Sequence, residues 1–333
     1  MTHKEAFKKA LSHQDVTPVP WSIKFTVEAK ERYERYLGKK FDPVADLGSY
    51  VVASHTNNGW TEVKPGYFRD HFGVVWNKTE DKTLGIVDEP PLKGASFSGY
   101  DFPDPDANPV FGFIEADRAK YPDSFHMVSI GFALFERAWA LCGMENLFDF
   151  LINEPGFTHD LLDRVTEYNL HIIDRAASLG VDCLHIGDDW GSQKSCLISP
   201  DMWREFIAPR YRRTCLRAKE LGLIVSLHCC GNVEAIMEDI CACGTDVFDP
   251  FQPEAMDIWT LRDRFRGRMS FWGGLSVQHT LPHGTPEDVR REGLDLLARM
   301  APGGGYILAP SHSLTGDVPP ENIASFIELA RNQ

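Results

Sequence analysis

From residue 125 onward the chain repeats one pattern: a short apolar run, a polar loop, then a stretch whose apolar residues recur every three or four positions. The runs are "FHMVSIGF" (125–132), "DCLHIG" (182–187), "LIVSLH" (223–228), "TDVFD" (245–249), "MSFWGG" (269–274) and "YILAP" (306–310). They are short, rich in β-branched residues and bounded by turn residues, so they predict strands. The periodic stretches near 157–179, 200–221, 233–243, 257–266, 285–300 and 319–331 predict helices. Local punctuation agrees. Ser199 before Pro200, and Thr285 before Pro286 and Glu287, have the order of a cap and a first helical turn. Gly222 and Gly244 fall where helix ends favour a positive φ.

Two earlier runs, "VPWSIKF" (19–25) and "YVVAS" (50–54), bring the strand count to about eight. Strands alternating with helices are parallel with helical crossovers, and eight of them close a (β/α)8 barrel. The predicted fold is therefore α/β, a TIM-type barrel forming one domain over residues 1–333. The stretch from about 57 to 123 breaks the pattern with Gly, Pro and aromatic residues, and "GVVWNK" and "LGIVDE" within it resemble hairpin strands. It is predicted as an insertion near the barrel mouth.

Barrels of this kind carry their reactive side chains where strands end. "VSLHCCGN" (225–232) puts a histidine and two cysteines at such an end. If the strand alternation continues, His228 and Cys230 share one face and Cys229 takes the other. The last strand is followed by "SHS" with His312, and "LHIG" by "DDWGSQ" with Asp188, Asp189, Trp190 and Gln193. Gln252 follows "VFDP", Trp272 lies in "SFWGG", and Glu136 opens "FERAW". His228, Cys230 and His312 are a zinc-type donor set of imidazole and thiolate with one position left open. Asp188, Asp189 or Glu136 would fill that position reversibly. The same three residues also serve as ordinary barrel packing, because H-x-C recurs by chance. A rival set of Cys229, Cys230, Cys241 and Cys243 fares worse, since Cys241 and Cys243 diverge on a helix end. The Asp188–Asp189 pair reads equally as catalytic acid and base or as a capped strand end. Trp190 and Trp272 read as pocket walls or as packing, and Glu136 and Gln252 as mouth residues or local structure.

Composition narrows the function classes. The 333 residues carry 48 acidic and 34 basic side chains, a formal charge of −14, which argues against nucleic acid as a partner. No run of about 18 apolar residues suggests a membrane span, and the N-terminus lacks the apolar core of a signal peptide. Eight cysteines without an export signal predict a cytoplasmic protein with reduced thiols. No dinucleotide fingerprint, P-loop or G-x-S-x-G elbow is present.

"FKKALSHQDVTPVP", "FERAWALCGMENLF", "IGDDWGSQKSCLISPDMWREFIAPRY", "LHCCGNVEAIMEDI", "FWGGLSVQHTLPHGTPEDV" and "GGGYILAPSHSLTGDVPPENI" together resemble the uroporphyrinogen decarboxylase superfamily over nearly the whole chain. The resemblance implies a (β/α)8 barrel. The decarboxylase branch has an arginine-bearing R-x-x-G-R segment near its first strand, where this chain reads "VPWSIKFTVEAKERY" with Lys24 and no arginine pair. The corrinoid-dependent methyltransferase branch, which includes O-demethylase components, binds zinc through an H-x-C motif matched here by His228 and Cys230. Its third ligand is usually a cysteine; His312 stands at the matching place. A histidine there implies a stronger Lewis acid toward oxygen, hence a methoxylated or other oxygen-bound methyl donor. The resemblance further implies Zn2+, a corrinoid supplied by a partner protein, a homodimer, and Asp188 or Asp189 orienting substrate or moving a proton. A metal-free decarboxylase and a non-catalytic ligand-binding relative are the alternatives.

Overall fold

The computed structural model describes residues 1–83 and 85–333; Leu84, which opens the "LGIVDE" run, lies outside the described residues. The strands are β1 (Val51–His55), β2 (Thr61–Lys64), β3 (Tyr67–Arg69), β4 (Val75–Asn77), β5 (Ile86–Glu89), β6 (Phe125–Ile130), β7 (Cys183–Gly187), β8 (Ile224–His228), β9 (Val247–Phe251), β10 (Ser270–Leu275) and β11 (Tyr306–Pro310). Seven of them form one parallel sheet in the order β1-β6-β7-β8-β9-β10-β11, each strand beside its neighbour in this sequence. Helices join successive strands, as parallel pairing requires. Every residue of β6, β9, β10 and β11 is buried, because both faces of such a sheet are covered. Among the described residues no helix is long and apolar enough to cross a membrane.

The run expected as the first strand lies against β11. Among the described residues it makes two isolated parallel bridges, Trp21 to Leu308 and Phe25 to Leu314. Pro18 and Pro20 remove ladder donors there, which shortens the pairing. The 57–123 stretch also differs from expectation. Residues 61–89 build a four-stranded antiparallel sheet, β2-β3-β4-β5, larger than a hairpin. The helix Val110–Lys120 packs on β1 and β6 and serves as their crossover, so it belongs to the main α/β repeat. The small sheet is tied down through Asp70, whose carboxylate accepts from the backbone N–H groups of Phe72 and Val74, from the Trp76 indole and from Arg137. Both Asp70 and Arg137 are buried, with Nη1 and Oδ2 2.6 Å apart.

The sheet register explains where polar chemistry collects. His55, Ser129, His185 and Ser226 are successive partners at one level across β1, β6, β7 and β8. Two residues further along, Gly187, His228 and Asp249 form the next level. Parallel partners share a face, so a polar belt lies inside the sheet where aliphatic layers are usual.

At the opposite end the N-terminal helix His3–Leu11 is fastened by Asp182, which precedes β7. Lys4 and Lys8 reach its Oδ1 at 2.8 and 2.7 Å, and the His126 N–H donates to Oδ2. Burial raises the Asp182 pKa, but the two lysines and this N–H outweigh it and hold the carboxyl below its usual value. A depressed folded pKa adds stability above the unfolded value and loses it as pH falls through the folded one. Asp182→Asn is expected to cost about 1–2 kcal/mol at neutral pH, the lysines being partly screened by water. It should also flatten the loss of stability below about pH 4. Urea unfolding at pH 7 and pH 3 checks both; equal losses at the two pH values would refute the assignment.

Candidate metal centre

Strand β8 ends at His228, and the chain turns immediately. Gly231 has φ 82°, and a Cβ there would sit 2.5 Å from the Ser192 carbonyl. A Cβ on Gly191 would in turn meet the Cys230 carbonyl at 2.6 Å. The loops after β7 and β8 therefore touch backbone to backbone, joined also by the Asn232 N–H on the Ser192 carbonyl. This turn swings Cys230 back over the strand end, with its Sγ 3.5 Å from His228 Nε2. His312, two residues past β11, brings its ring centroid to 5.5 Å from that of His228. Donor atoms of His228, Cys230 and His312 all lie within 4.8 Å of one another.

These residues suit zinc. An ion with tetrahedral bonds of about 2.0 Å to nitrogen and about 2.3 Å to sulfur has an N···S edge of about 3.5 Å, the separation seen between His228 and Cys230. The other nitrogen of His228 is also engaged: Nδ1 lies 2.9 Å from Asp249 Oδ2. A carboxylate behind a ligating histidine fixes its tautomer and orientation. Asp249 is buried, and burial alone would raise its pKa. Lys24, at 3.1 Å, and His228 overcome this and keep it ionised well below the carboxylate range. Burial, with the charge of His228, lowers the His312 pKa, so its imidazole is neutral and available as a ligand. Burial raises the Cys230 thiol pKa, with Asp189 and Asp249 adding to the effect. A second set, His185, His228 and Asp249, also clusters within 4.8 Å. It would require His228 Nδ1 and the Asp249 oxygen that already holds Lys24. The first set leaves these bonds intact.

Asp249→Asn is expected to weaken zinc binding about 10–100-fold, the usual cost of losing the partner behind a ligating histidine. Competition with a chromophoric chelator measures this; a change under about threefold would remove Asp249 from the site.

The remaining expected site residues fall into two groups. Asp188 is fully buried and accepts from the N–H groups of Leu134, Phe135 and Glu136 and from the Trp190 indole. It thereby caps the helix Phe135–Cys142. Burial raises its pKa to about 6 against these donors. Asp189 accepts from the Cys230 N–H at 2.8 Å and faces Glu136, whose carboxyl is raised by burial and by the two aspartates. Trp190 does not wall a pocket. It is 1% exposed and packs edge-on against Trp203 and Tyr211 in the helix layer. Gln252 accepts from the Gly231 N–H, and Gln193 bridges the Glu254 carbonyl and Gln278; both hold loops. Trp272 does line the small cavity shared by Lys24, His228, Asp249 and His312.

Sequence reading missed Asp249, Lys24, His185 and His55. Asp249 and His185 lie inside β9 and β7 and not past their ends, and an acidic or imidazole side chain within an apolar run is itself a signal. Lys24 and His55 become meaningful only once β1 and the 19–25 run are folded beside the others.

A parallel α/β sheet with an N,N,S donor set at the C-terminal ends of its strands defines a metal-competent α/β site. The profile of uroporphyrinogen decarboxylase (URO-D) matches residues 70–333, and the chain belongs to that family. It is 27% identical over 222 residues to a methylated-thiol–coenzyme M methyltransferase of Methanosarcina mazei, covering 67% of this chain and 57% of that protein. Identity is 25% over 269 residues to uroporphyrinogen decarboxylase of Chlorobaculum tepidum, covering 76% and 73% of the two chains. It is 26% over 191 residues to methylcobamide:CoM methyltransferase MtaA of Methanosarcina barkeri, covering 56% and 52%. The aligned part of the chain thus spans little more than half the length of both curated methyltransferases. A solved methyltransferase from Methanosarcina mazei shares the fold with a TM-score of 0.76 at 19% identity, over 99% of this chain and 98% of that one.

Proposed function

We propose that the chain is a zinc-dependent methyltransferase, moving a methyl group between a small substrate and a corrinoid carried on a partner protein. The sheet is read as a closed (β/α)8 barrel, with the 19–25 run completing it and residues 61–89 inserted near its mouth. The observation that carries the reading is the 3.5 Å approach of His228 Nε2 to Cys230 Sγ, with His312 beside them and Asp249 behind. The two curated methyltransferases support the reaction class.

His228, Cys230 and His312 would hold zinc. When bound, the ion supplies Lewis acidity toward the heteroatom that carries or receives the methyl group. Asp249 keeps the proton of His228 on Nδ1, so that Nε2 is the free donor. Asp188 fixes the start of the Phe135–Cys142 helix and so places Glu136. Glu136, its carboxyl raised by burial and by the neighbouring aspartates, holds a proton near the substrate heteroatom. Trp272 walls the cavity. A methoxylated donor is the preferred substrate, because two imidazoles and one thiolate suit an oxygen ligand better than a thiolate-rich set does. The decarboxylase alternative meets an obstacle in the mouth: a polycarboxylate needs several cations, and among the described residues Lys24 is the only lysine or arginine lining the cavity beside His228.

The test is methyl transfer from methoxylated arenes and from methylated thiols to free cob(I)alamin, followed spectroscopically with zinc-loaded protein. Formation of methylcob(III)alamin from either class supports the reading, and the preferred class settles the heteroatom. No transfer from either, with carbon dioxide released from a carboxylated ring, would replace it with the decarboxylase.

A further inference from the structure

His185 is buried inside the sheet and has no role in the scheme above. Its Nδ1 lies 3.0 Å from Ser226 Oγ. A hydroxyl accepts as readily as it donates, so Ser226 can hold the ring proton on Nδ1 and leave Nε2 free for a metal. That Nε2 stands 3.7 Å from Asp249 Oδ2. The same oxygen is 2.9 Å from His228 Nδ1 and 3.1 Å from Lys24 Nζ. One oxygen of a buried aspartate is therefore shared by two imidazoles and an ammonium. The Trp272 ring steadies the ammonium, its centroid 5.0 Å from Nζ. The Lys24 side chain keeps 40% of its surface exposed and lines the cavity that holds His228 and His312, so the place it fills opens to the mouth.

Without the ammonium, the three remaining groups are a metal donor set. Donor atoms of His185, His228 and Asp249 lie within 4.8 Å of one another. Two imidazoles and a carboxylate suit zinc, and tetrahedral bonds of about 2.0–2.1 Å put neighbouring donors about 3.3 Å apart. The two separations from Asp249, 2.9 and 3.7 Å, lie on either side of that value. This set and the first use opposite nitrogens of His228, so a neutral imidazole serves one of them at a time. Charge decides which. With Lys24 in place, an ion brought to Asp249 would face an ammonium at close range, in surroundings that screen it poorly. With Lys24 gone, Asp249 is a buried carboxylate without a compensating cation, and a divalent ion supplies one.

We infer that His185, His228 and Asp249 form a second divalent-metal site, and that the Lys24 ammonium is the internal cation that fills it and so directs a metal ion to Cys230 and His312. The second set shares His228 with the proposed centre but uses neither Cys230 nor His312. It rests on that reading only for where the ion goes when Lys24 is present.

The test counts metal in His312→Ala protein, whose first set is broken, with Lys24 kept or replaced. Each variant is reconstituted with zinc, desalted and submitted to elemental analysis. His312→Ala alone should hold well under one equivalent, and Lys24→Met added to it should restore about one. Lys24→Arg in the same background should stay metal-poor, because the charge remains. Adding His185→Ala to the Lys24→Met protein should empty it again. Cobalt then locates the ion: the first set shows thiolate-to-cobalt charge transfer through Cys230, and the second, without sulfur, does not. No recovery in Lys24→Met overturns the inference, as does recovered metal that survives His185→Ala or shows the thiolate band. A full equivalent in His312→Ala itself, lost with His185→Ala, also overturns it, since the site would then fill with Lys24 in place. If Lys24→Met fails to fold, Lys24→Gln must give the recovery for the inference to stand. No metal in wild type, with about one ion in Lys24→Met that His185→Ala removes, would keep the second site and withdraw the methyltransferase reading. One ion in wild type with no recovery in the double variant would do the reverse.

Discussion

His312→Ala protein, purified without a histidine tag and supplied with zinc, is expected to retain well under one equivalent of metal. Wild type should hold about one per chain. The reason is the number of ligands. His228 and Cys230 lie two residues apart on one turn, and only His312, from the far edge of the sheet, makes the donor set three. Two donors leave zinc exchanging with water and any chelator present. Methyl transfer should fall about 100-fold or more, beyond the range reached by removing a supporting partner alone. Elemental analysis of wild type, His228→Ala and His312→Ala gives the answer. Full occupancy in His312→Ala would reduce that residue to a neighbour of the site. No metal in wild type after zinc reconstitution would make "HCC" a structural turn and withdraw the methyltransferase mechanism.

Asp70→Ala is expected to be the most damaging substitution for stability, at about 3–5 kcal/mol, because it leaves the Arg137 guanidinium buried with its charge uncompensated. The Arg137 guanidinium carbon lies 4.2 Å from the centroid of the Phe72 ring and the side chain is buried, so it has little room to escape toward water. The same carboxylate also ends three other donors, from Phe72, Val74 and the Trp76 indole. The damage should therefore spread into the small antiparallel sheet, with protease cleavage accelerated near residues 61–89. Thermal and urea midpoints measure the first effect and limited proteolysis the second. A midpoint within a degree or two of wild type would show that Arg137 finds another partner. Arg137→Met should cost less than Asp70→Ala, since a carboxylate with three remaining donors is better satisfied than a stranded cation.

The strands of the main sheet from β6 onward were legible because each is a short apolar run buried on both faces, a pattern that survives in one dimension. His228, Cys230 and His312 were legible through the same logic, as polar residues at strand ends. Three other parts were not. Lys24 and Asp249 are separated by 225 positions, and nothing local relates a lysine in "SIKF" to an aspartate in "VFDP". The fate of Asp188 depended on three N–H groups delivered by a helix from 52 to 54 residues away. Trp190, though next to two acidic residues, follows the pleat outward into the helix layer, because neighbouring residues of an extended chain face opposite ways. The runs "GVVWNK" and "LGIVDE" read as hairpin strands and contribute β4 and β5, which pair antiparallel; β2 and β3 are only four and three residues long and leave no such pattern, so the pairing of all four is a tertiary fact.

The backbone contact between Gly191 and Gly231 has a consequence for how anything enters. Two loops with no side chains between them, stitched by a hydrogen bond, cannot part without losing the turn that sets Cys230. The wall made by β7 and β8 therefore behaves as a fixed doorpost. Whatever hinge the mouth possesses must lie on the other side, among the 19–25 run, the loop bearing His312 and the small sheet.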